Sequence, residues 1–274
     1  MKKKAYVIGN NTKKSLSPII FEHWIKKYNI SASYDFIEIE DKNFKGEIEK
    51  ILKAPQVCGL NITIPFKQKI KPYLLGSDKH SLAIGATNCL TKKDSGFYGS
   101  NTDWLGFQNS IKCFEENNVN LQLKVKDATV IGYGGSAMAI IYALNKMGFR
   151  KIKVFNRNFD KIKKLTNIVP HDLRNFSKIS FKNEIIINTI PINFLEDSKV
   201  QKTKTLDKTV FGYDLVYNVE THFLEFFQQK NQISGTDMLI HQAIPCFEGW
   251  FGIKPSIDKK LLFKINKKLK ENTW

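Results

Sequence analysis

The chain has 274 residues, 42% of them apolar, and a net charge of +17; that length fits one large domain or two modest ones. No apolar run approaches the ~18 residues of a membrane span, and the run Ala5-Tyr6-Val7-Ile8 behind Lys2-Lys3-Lys4 is too short for a secretory core, so a cytoplasmic protein with no membrane partner is expected. The basic residues are nearly all lysines spread along the chain, with arginine only at Arg150, Arg157 and Arg174, so a solvated lysine-rich surface is expected rather than a nucleic-acid binder, and its positive field would attract anionic substrates and a phosphate-bearing cofactor.

The predicted elements alternate between strand and helix. Ala5–Gly9 reads as a buried strand, and Ser17 as the N-cap of a helix that runs to about Tyr28 with Pro18 in its first turn. Tyr34–Glu40 has the period of a strand. Asp41 is expected to cap a helix with Phe44, Ile48, Ile51 and Leu52 on one side. Val57–Thr63 is the next strand, broken at Pro65. Thr87–Thr91 and Gly96–Gly99 form a hairpin, and Asp103 opens a further helix. A second unit starts near Lys126: strand Asp127–Ile131, a glycine turn, helix Ser136–Met147 ended by Gly148, then strands Lys151–Phe155, Glu184–Thr189 and Thr209–Leu215. Such a run of βα units calls for a doubly wound parallel sheet. The stretch from about Asp237 to Lys270 reads as helical. Cys58, Cys89, Cys113 and Cys246 lack CxxC spacing and histidine neighbours, so reduced thiols and no metal are expected.

The glycine turn reads Val130-Ile131-Gly132-Tyr133-Gly134-Gly135-Ser136-Ala137, between a strand and a helix. Gly132 permits the tight turn, Gly134 lets backbone approach a pyrophosphate, and the helix N-terminus holds the negative charge. Taken alone it also suits a ligand-free βα turn. The next strand ends Phe155-Asn156-Arg157-Asn158, with no acidic residue for a ribose hydroxyl. Arg157 offers a planar cation for a 2′-phosphate, and Lys161, on the expected following helix, a second charge. NADP(H) is the cofactor this pattern fits.

Three polar clusters occupy the first unit. Ser15 and Ser17 flank a helix start, a natural carboxylate site. Asn61 and Thr63 share one face of a strand end, and Lys67 follows Pro65. Gly99-Ser100-Asn101-Thr102-Asp103 puts a carboxylate at the hairpin edge. Singly, Ser17 and Asp103 are also ordinary N-caps.

In order and spacing these clusters resemble the motifs of the shikimate dehydrogenase family. The likeness extends through Gly85-Ala86-Thr87-Asn88, Asp214-Leu215-Val216-Tyr217, and Gly235-Thr236-Asp237-Met238-Leu239 followed by Gln242, Phe247, Glu248 and Trp250. It implies an α/β protein of two domains. An N-terminal α/β substrate domain would be completed by C-terminal helices (1–102 plus 235–274), with a Rossmann-like NADP-binding domain between (103–234). The implied reaction is reversible NADPH-dependent reduction of 3-dehydroshikimate to shikimate, in the pathway to chorismate and the aromatic amino acids, by a monomer or homodimer.

Carried over residue by residue, the resemblance makes Lys67 and Asp103 the catalytic pair. Ser15 and Ser17 would bind the substrate carboxylate. Thr63, Asn88 and Gln242 would bind ring hydroxyls, Tyr217 would support the substrate, and Asn61 would line the same pocket. Gly132, Gly134, Gly135, Ser136, Ala137, Asn156, Arg157, Asn158 and Lys161 would hold the phosphates of the cofactor, with Leu215, Gly235 and Met238 near its nicotinamide. The chain departs from the family pattern in Asn11 for a proline, Lys14 for a histidine, Asn158 for a threonine, Tyr217-Asn218-Val219 for Tyr-x-Pro, and in lacking a glycine soon after Asn188-Thr189-Ile190-Pro191. A quinate/shikimate dehydrogenase using NAD or NADP and a non-catalytic cofactor-binding paralogue are the competing readings; the second would be expected to have lost Lys67 or Asp103.

Overall fold

The structure, a computed structural model, describes residues 2–118, 125–163, 165–190, 206–217 and 222–271. The chain divides into two compact units, Met1–Gly106 with Leu239–Thr273, and Phe107–Met238. The crossings fall inside helices rather than ahead of them, so Asp103 and Gln242 both belong to the first unit.

The first unit holds a six-stranded mixed sheet in the order β2-β1-β3-β5-β6-β4. Its strands are β1 Lys3–Gly9, β2 Ala32–Glu38, β3 Val57–Ile62, β4 Gly76–Ser77, β5 Cys89–Lys93 and β6 Gly96–Ser100. β1, β2 and β3 are parallel, and β5 returns antiparallel between β3 and β6. Helix α1 is Ser17–Lys27, α2 Phe44–Lys53 and α3 Lys79–Ile84. One core cluster gathers Ile8, Ile48, Leu60, Phe66, Ile70 and Leu90, and the rings of Phe44 and Phe66 stack at 4.1 Å. Leu16, not Ser17, stands at the cap position of α1, and Ser17 is the first helical residue. The Ser17 N–H instead donates to the Ser15 hydroxyl at 3.2 Å, so the capping oxygen comes from two residues upstream. Asp41 begins a 3-10 turn (Asp41–Asn43) ahead of α2 and makes no side-chain cap there; its carboxylate meets Lys69.

The second unit is a Rossmann sheet. Its strands are β7 Asp127–Ile131, β8 Lys151–Asn156, β9 Ile168–Asp172, β10 Glu184–Asn188, β11 Phe211–Asp214 and β12 Gln232–Ser234. All pair in parallel, in the order β12-β11-β10-β7-β8-β9. In order of appearance this is 3-2-1-4-5-6 read from the other edge, the arrangement whose strand-order reversal opens a ligand crevice at the carboxyl ends. α4 Asp103–Asn117 leads into the unit, and α5 Gly135–Lys146 connects β7 to β8. β9 was not expected from the sequence because Pro170 interrupts its pattern. It lies at the sheet edge, where a missing N–H is tolerated.

The C-terminal helical stretch is two helices, α6 Thr236–Phe251 and α7 Lys259–Glu271. Gly252, at φ 72, and Pro255 separate them. α6 seats on the first sheet at Gly59, where a Cβ would lie 2.2 Å from the Trp250 ring, and the Trp250 indole donates to Leu90 O at 2.9 Å. No helix of the described residues is long and apolar enough to cross a membrane.

Asp258 ties α7 to α1. It accepts from the Leu261 N–H (2.9 Å), the Lys27 ammonium (2.6 Å) and faces His23 Nε2 (3.1 Å). The Lys27 hydrogen bond, then the Leu261 N–H, hold its carboxyl well below the usual carboxylate range. A carboxyl depressed on folding stabilises at neutral pH, and the gain is lost as pH falls toward its folded value. Asp258→Ala is expected to cost about 1 kcal/mol at pH 7 through the lost helix cap. The gap in melting temperature between variant and wild type, read by scanning fluorimetry, should narrow as pH is lowered into the acid range.

Candidate active site

Lys67 is placed by its neighbours. Phe66, fully buried, plugs the core behind the turn that follows β3, and Lys67 O accepts from Thr87 N at 2.8 Å, tying this turn to the approach to β5. Asp103 opens α4, where the helix dipole favours a carboxylate; its N–H donates to Asn101 Oδ1 at 3.0 Å. The Lys67 ammonium donates to Asp103 Oδ2 at 2.6 Å, with the two side chains 10% and 7% exposed. Such a pair is largely desolvated, so its geometry is held with little competition from water.

Asn88 organises the other half. Its amide nitrogen lies 2.7 Å from Asp103 Oδ1, 2.9 Å from Thr102 Oγ1 and 3.2 Å from Gln242 Oε1, three acceptors that share its two N–H groups. Its Oδ1 accepts the Thr102 backbone N–H at 2.7 Å, which fixes the amide orientation. The structure thus brings Lys67, Asp103, Asn88 and Gln242 into one connected network. Thr102 is a member whose own part the sequence reading did not assign. The only sequence signal for it was its place inside Asn101-Thr102-Asp103.

Asn61 stands behind this network. Tyr34 donates to its Oδ1 at 2.8 Å, and its Nδ2 donates to Asn88 O and Cys246 Sγ, each at 3.3 Å. Cys246, one turn after Gln242 on α6, also lies 3.4 Å from Thr102 Oγ1. Cys246 was expected to be only a buried thiol, and it is buried, but among the supports of the network. Thr63 follows β3, with its N–H on Ile8 O at 2.9 Å. Ser15 and Ser17 sit at the start of α1, half-buried and buried respectively.

The remaining expected residues lie in the second unit. Gly132 has φ 101, a backbone that side chains resist, and a Cβ there would lie 2.4 Å from Thr189 Oγ1. Gly134 is the N-cap of α5, without a side-chain cap, and a Cβ added to it would meet nothing within 4 Å. A helix leaves its first N–H groups without intrahelical acceptors. Here Gly135, Ser136 and Ala137 supply that donor end beside open space, and no acidic residue stands in the first turn, a setting that fits a dinucleotide pyrophosphate.

Asn156 ends β8, and Arg157 and Asn158 follow it exposed. Lys161 is on a single 3-10 turn, Phe159–Lys161, not on an α-helix, because Ile162 turns extended and buries itself. Asp172 was missed with β9: it pairs in register with Asn156, so an acid does stand beside this loop. Arg174 engages it, and that hydrogen bond keeps its carboxyl ionised below the usual range. Leu215 and Gly235 abut at the ends of β11 and β12, where a Cβ on Gly235 would lie 2.7 Å from Leu215 Cα. Met238 is buried and Tyr217 half-buried. Asn218, Val219 and Pro191 lie outside the described residues. Among the described residues no cluster of His, Cys, Asp and Glu is arranged to hold a metal.

Comparison with known proteins accounts for both units. The family description "Shikimate dehydrogenase substrate binding domain" matches residues 7–90, and "Shikimate / quinate 5-dehydrogenase" matches residues 115–215. A shikimate dehydrogenase (NADP(+)) of Pelagibacter ubique is 36% identical over 96% of this chain and 98% of its own. The crystal structure of shikimate dehydrogenase from Aquifex aeolicus superposes with a TM-score of 0.78 at 28% identity, covering 99% of this chain and 97% of that one. A shikimate dehydrogenase in complex with NADP+ gives 0.76 at 26% identity, with 100% and 96% covered. The substrate-side network and the glycine turn thus fall within one full-length likeness, and the chain belongs to the shikimate dehydrogenase family.

Proposed function

We propose that the protein catalyses the reversible, NADP-linked interconversion of 3-dehydroshikimate and shikimate. The first unit serves as substrate domain and the second as dinucleotide domain. The observation that carries the reading is the buried Lys67–Asp103 pair joined through Asn88 to Gln242. Its chemistry is that of a ketone reductase. Bound NADPH supplies the hydride. Reduction leaves negative charge on the substrate oxygen, and the Lys67 ammonium stabilises that charge and delivers the proton to it. In the oxidative direction the neutral Lys67 amine takes the proton back. Asp103 holds Lys67 through Oδ2 and accepts a neighbouring substrate hydroxyl.

Asn88, Gln242 and Thr63 select the ring hydroxyls, and the Ser15 and Ser17 hydroxyls bind the carboxylate at the start of α1. Tyr217 supports the substrate. Asn61, with its amide bonded to Tyr34, Asn88 and Cys246, positions Asn88 rather than touching substrate. Gly132, Gly134, Gly135, Ser136 and Ala137 hold the pyrophosphate. Asn156, Arg157, Asn158 and Lys161 hold the 2′-phosphate, and Leu215, Gly235 and Met238 flank the nicotinamide. The enzyme works in the cytoplasm, as a monomer or homodimer, in the route to chorismate and the aromatic amino acids.

The direct test is a spectrophotometric assay of shikimate oxidation with NADP and, separately, NAD, with quinate as a control. Activity confined to quinate, or none with shikimate, would overturn the assignment. Arg157→Ala is expected to raise KM for NADPH about ten-fold or more through the lost charge-assisted contact. KM for 3-dehydroshikimate should stay within about two-fold, and equal shifts in the two constants would remove Arg157 from the cofactor site.

A further inference from the structure

In the second unit, the glycine turn and the cation-bearing segment after β8 are joined twice. Gly132 N–H donates to Phe155 O at 2.8 Å, just ahead of Arg157. Lys163 N–H donates to the Tyr133 hydroxyl at 3.0 Å, just past Lys161. Between these ties the segment closes on itself. Asn156 Nδ2 donates to Asn158 O at 3.0 Å, Lys161 N to Asn158 O at 3.3 Å, and Ile162 N to Phe159 O at 3.0 Å. Ile162 is 3% exposed, whereas Arg157, Lys161 and Lys163 are exposed. Tyr133 occupies the variable position of the glycine turn, where backbone geometry alone does not demand a particular side chain. A phenol hydroxyl there has the reach and acceptor capacity to make the second tie.

We propose that Tyr133 is a positioning residue for coenzyme discrimination. Its hydroxyl pins the segment 156–163 onto the pyrophosphate turn, so that Arg157 and Lys161, with Lys163 as a third cation, stand ready for the 2′-phosphate of the adenine ribose. Without the pin all three cations remain, but the segment must be ordered each time the ligand binds, and affinity falls by that cost. The effect is confined to ligands that carry the 2′-phosphate. This inference rests on the NADP reading above.

The test is calorimetric binding of adenosine 2′,5′-bisphosphate and of ADP to the full chain, in wild type, Tyr133→Phe, Arg157→Ala and the double variant. Tyr133→Phe is expected to weaken the bisphosphate about five- to ten-fold, as loss of one hydrogen bond does. ADP should change less than about two-fold, which also reports an intact turn. The Tyr133→Phe effect should shrink in the Arg157→Ala background, because the hydroxyl acts through the cations it places. Wild-type bisphosphate affinity in Tyr133→Phe, an equal loss for ADP, or full additivity in the double variant would each overturn the proposal. Failure of the NADP reading looks different: the wild-type protein itself would bind the bisphosphate no more tightly than ADP, and the proposal would fall with it.

Discussion

Lys67→Ala should lower kcat for shikimate oxidation by about 10³-fold or more, within the range of a lost general acid–base group and oxyanion partner. NADP affinity should be nearly unchanged, since Lys67 and the glycine turn belong to different units. The variant removes the ammonium that donates to Asp103 Oδ2 at 2.6 Å and leaves the carboxylate on Asn88 alone. Some loss of stability therefore accompanies the loss of rate, and titration with NADP shows whether the second unit is still folded. Turnover within about ten-fold of wild type would sink the assignment of Lys67. A rise in KM with kcat preserved would mean that Lys67 only binds substrate.

The second large effect is on stability. Glu184, at the start of β10, is 3% exposed, and its carboxylate accepts from Lys153 at 2.8 Å and Thr129 at 2.7 Å. Glu184→Ala strands a 13%-exposed ammonium and a buried hydroxyl without their acceptor. Breaking a buried pair from one side costs about 3–5 kcal/mol, which urea unfolding of the full chain would read as a lower midpoint at similar slope. Replacing both partners, as Lys153→Met with Glu184→Leu, should recover most of the loss, because no charge is then left unpaired. A single variant as stable as wild type would show that water already reaches this pair. Adenosine 2′,5′-bisphosphate binding should survive in the double variant: Glu184 begins its strand, whereas the glycine turn follows the end of β7.

Local chemistry made part of this legible in the sequence. Gly132 and Gly134 answer to backbone geometry within a few residues, and the βα alternation fixes a parallel sheet almost by itself. Ser15 and Ser17 were readable as a helix start, but not which of them supplies the capping oxygen, since that depends on the φ of Leu16. β9 was hidden because Pro170 offends a pattern that an edge strand does not need to satisfy. The Lys67–Asp103 contact spans 36 residues, and no periodicity joins the two; only the family resemblance suggested it. Thr102 showed only through its place beside Asp103, and Cys246 and Tyr133 were invisible, for a related reason. Each acts through a tertiary partner, and none belongs to a residue type that advertises the role.

The first unit is built from two stretches far apart in the sequence, Met1–Gly106 and Leu239–Thr273, and a ribosome makes them at different times. Sheet β1–β6 and the residues of the charged pair emerge early. Gln242, which bonds Asn88, and Trp250, which covers Gly59, come only after the whole second unit has been synthesised. A nascent chain can therefore complete its nucleotide-side sheet while the substrate-side sheet still has an apolar face awaiting α6. Translation order lets the substrate side mature only after the nucleotide side, and a chain stalled before Leu239 would lack the residues that finish it.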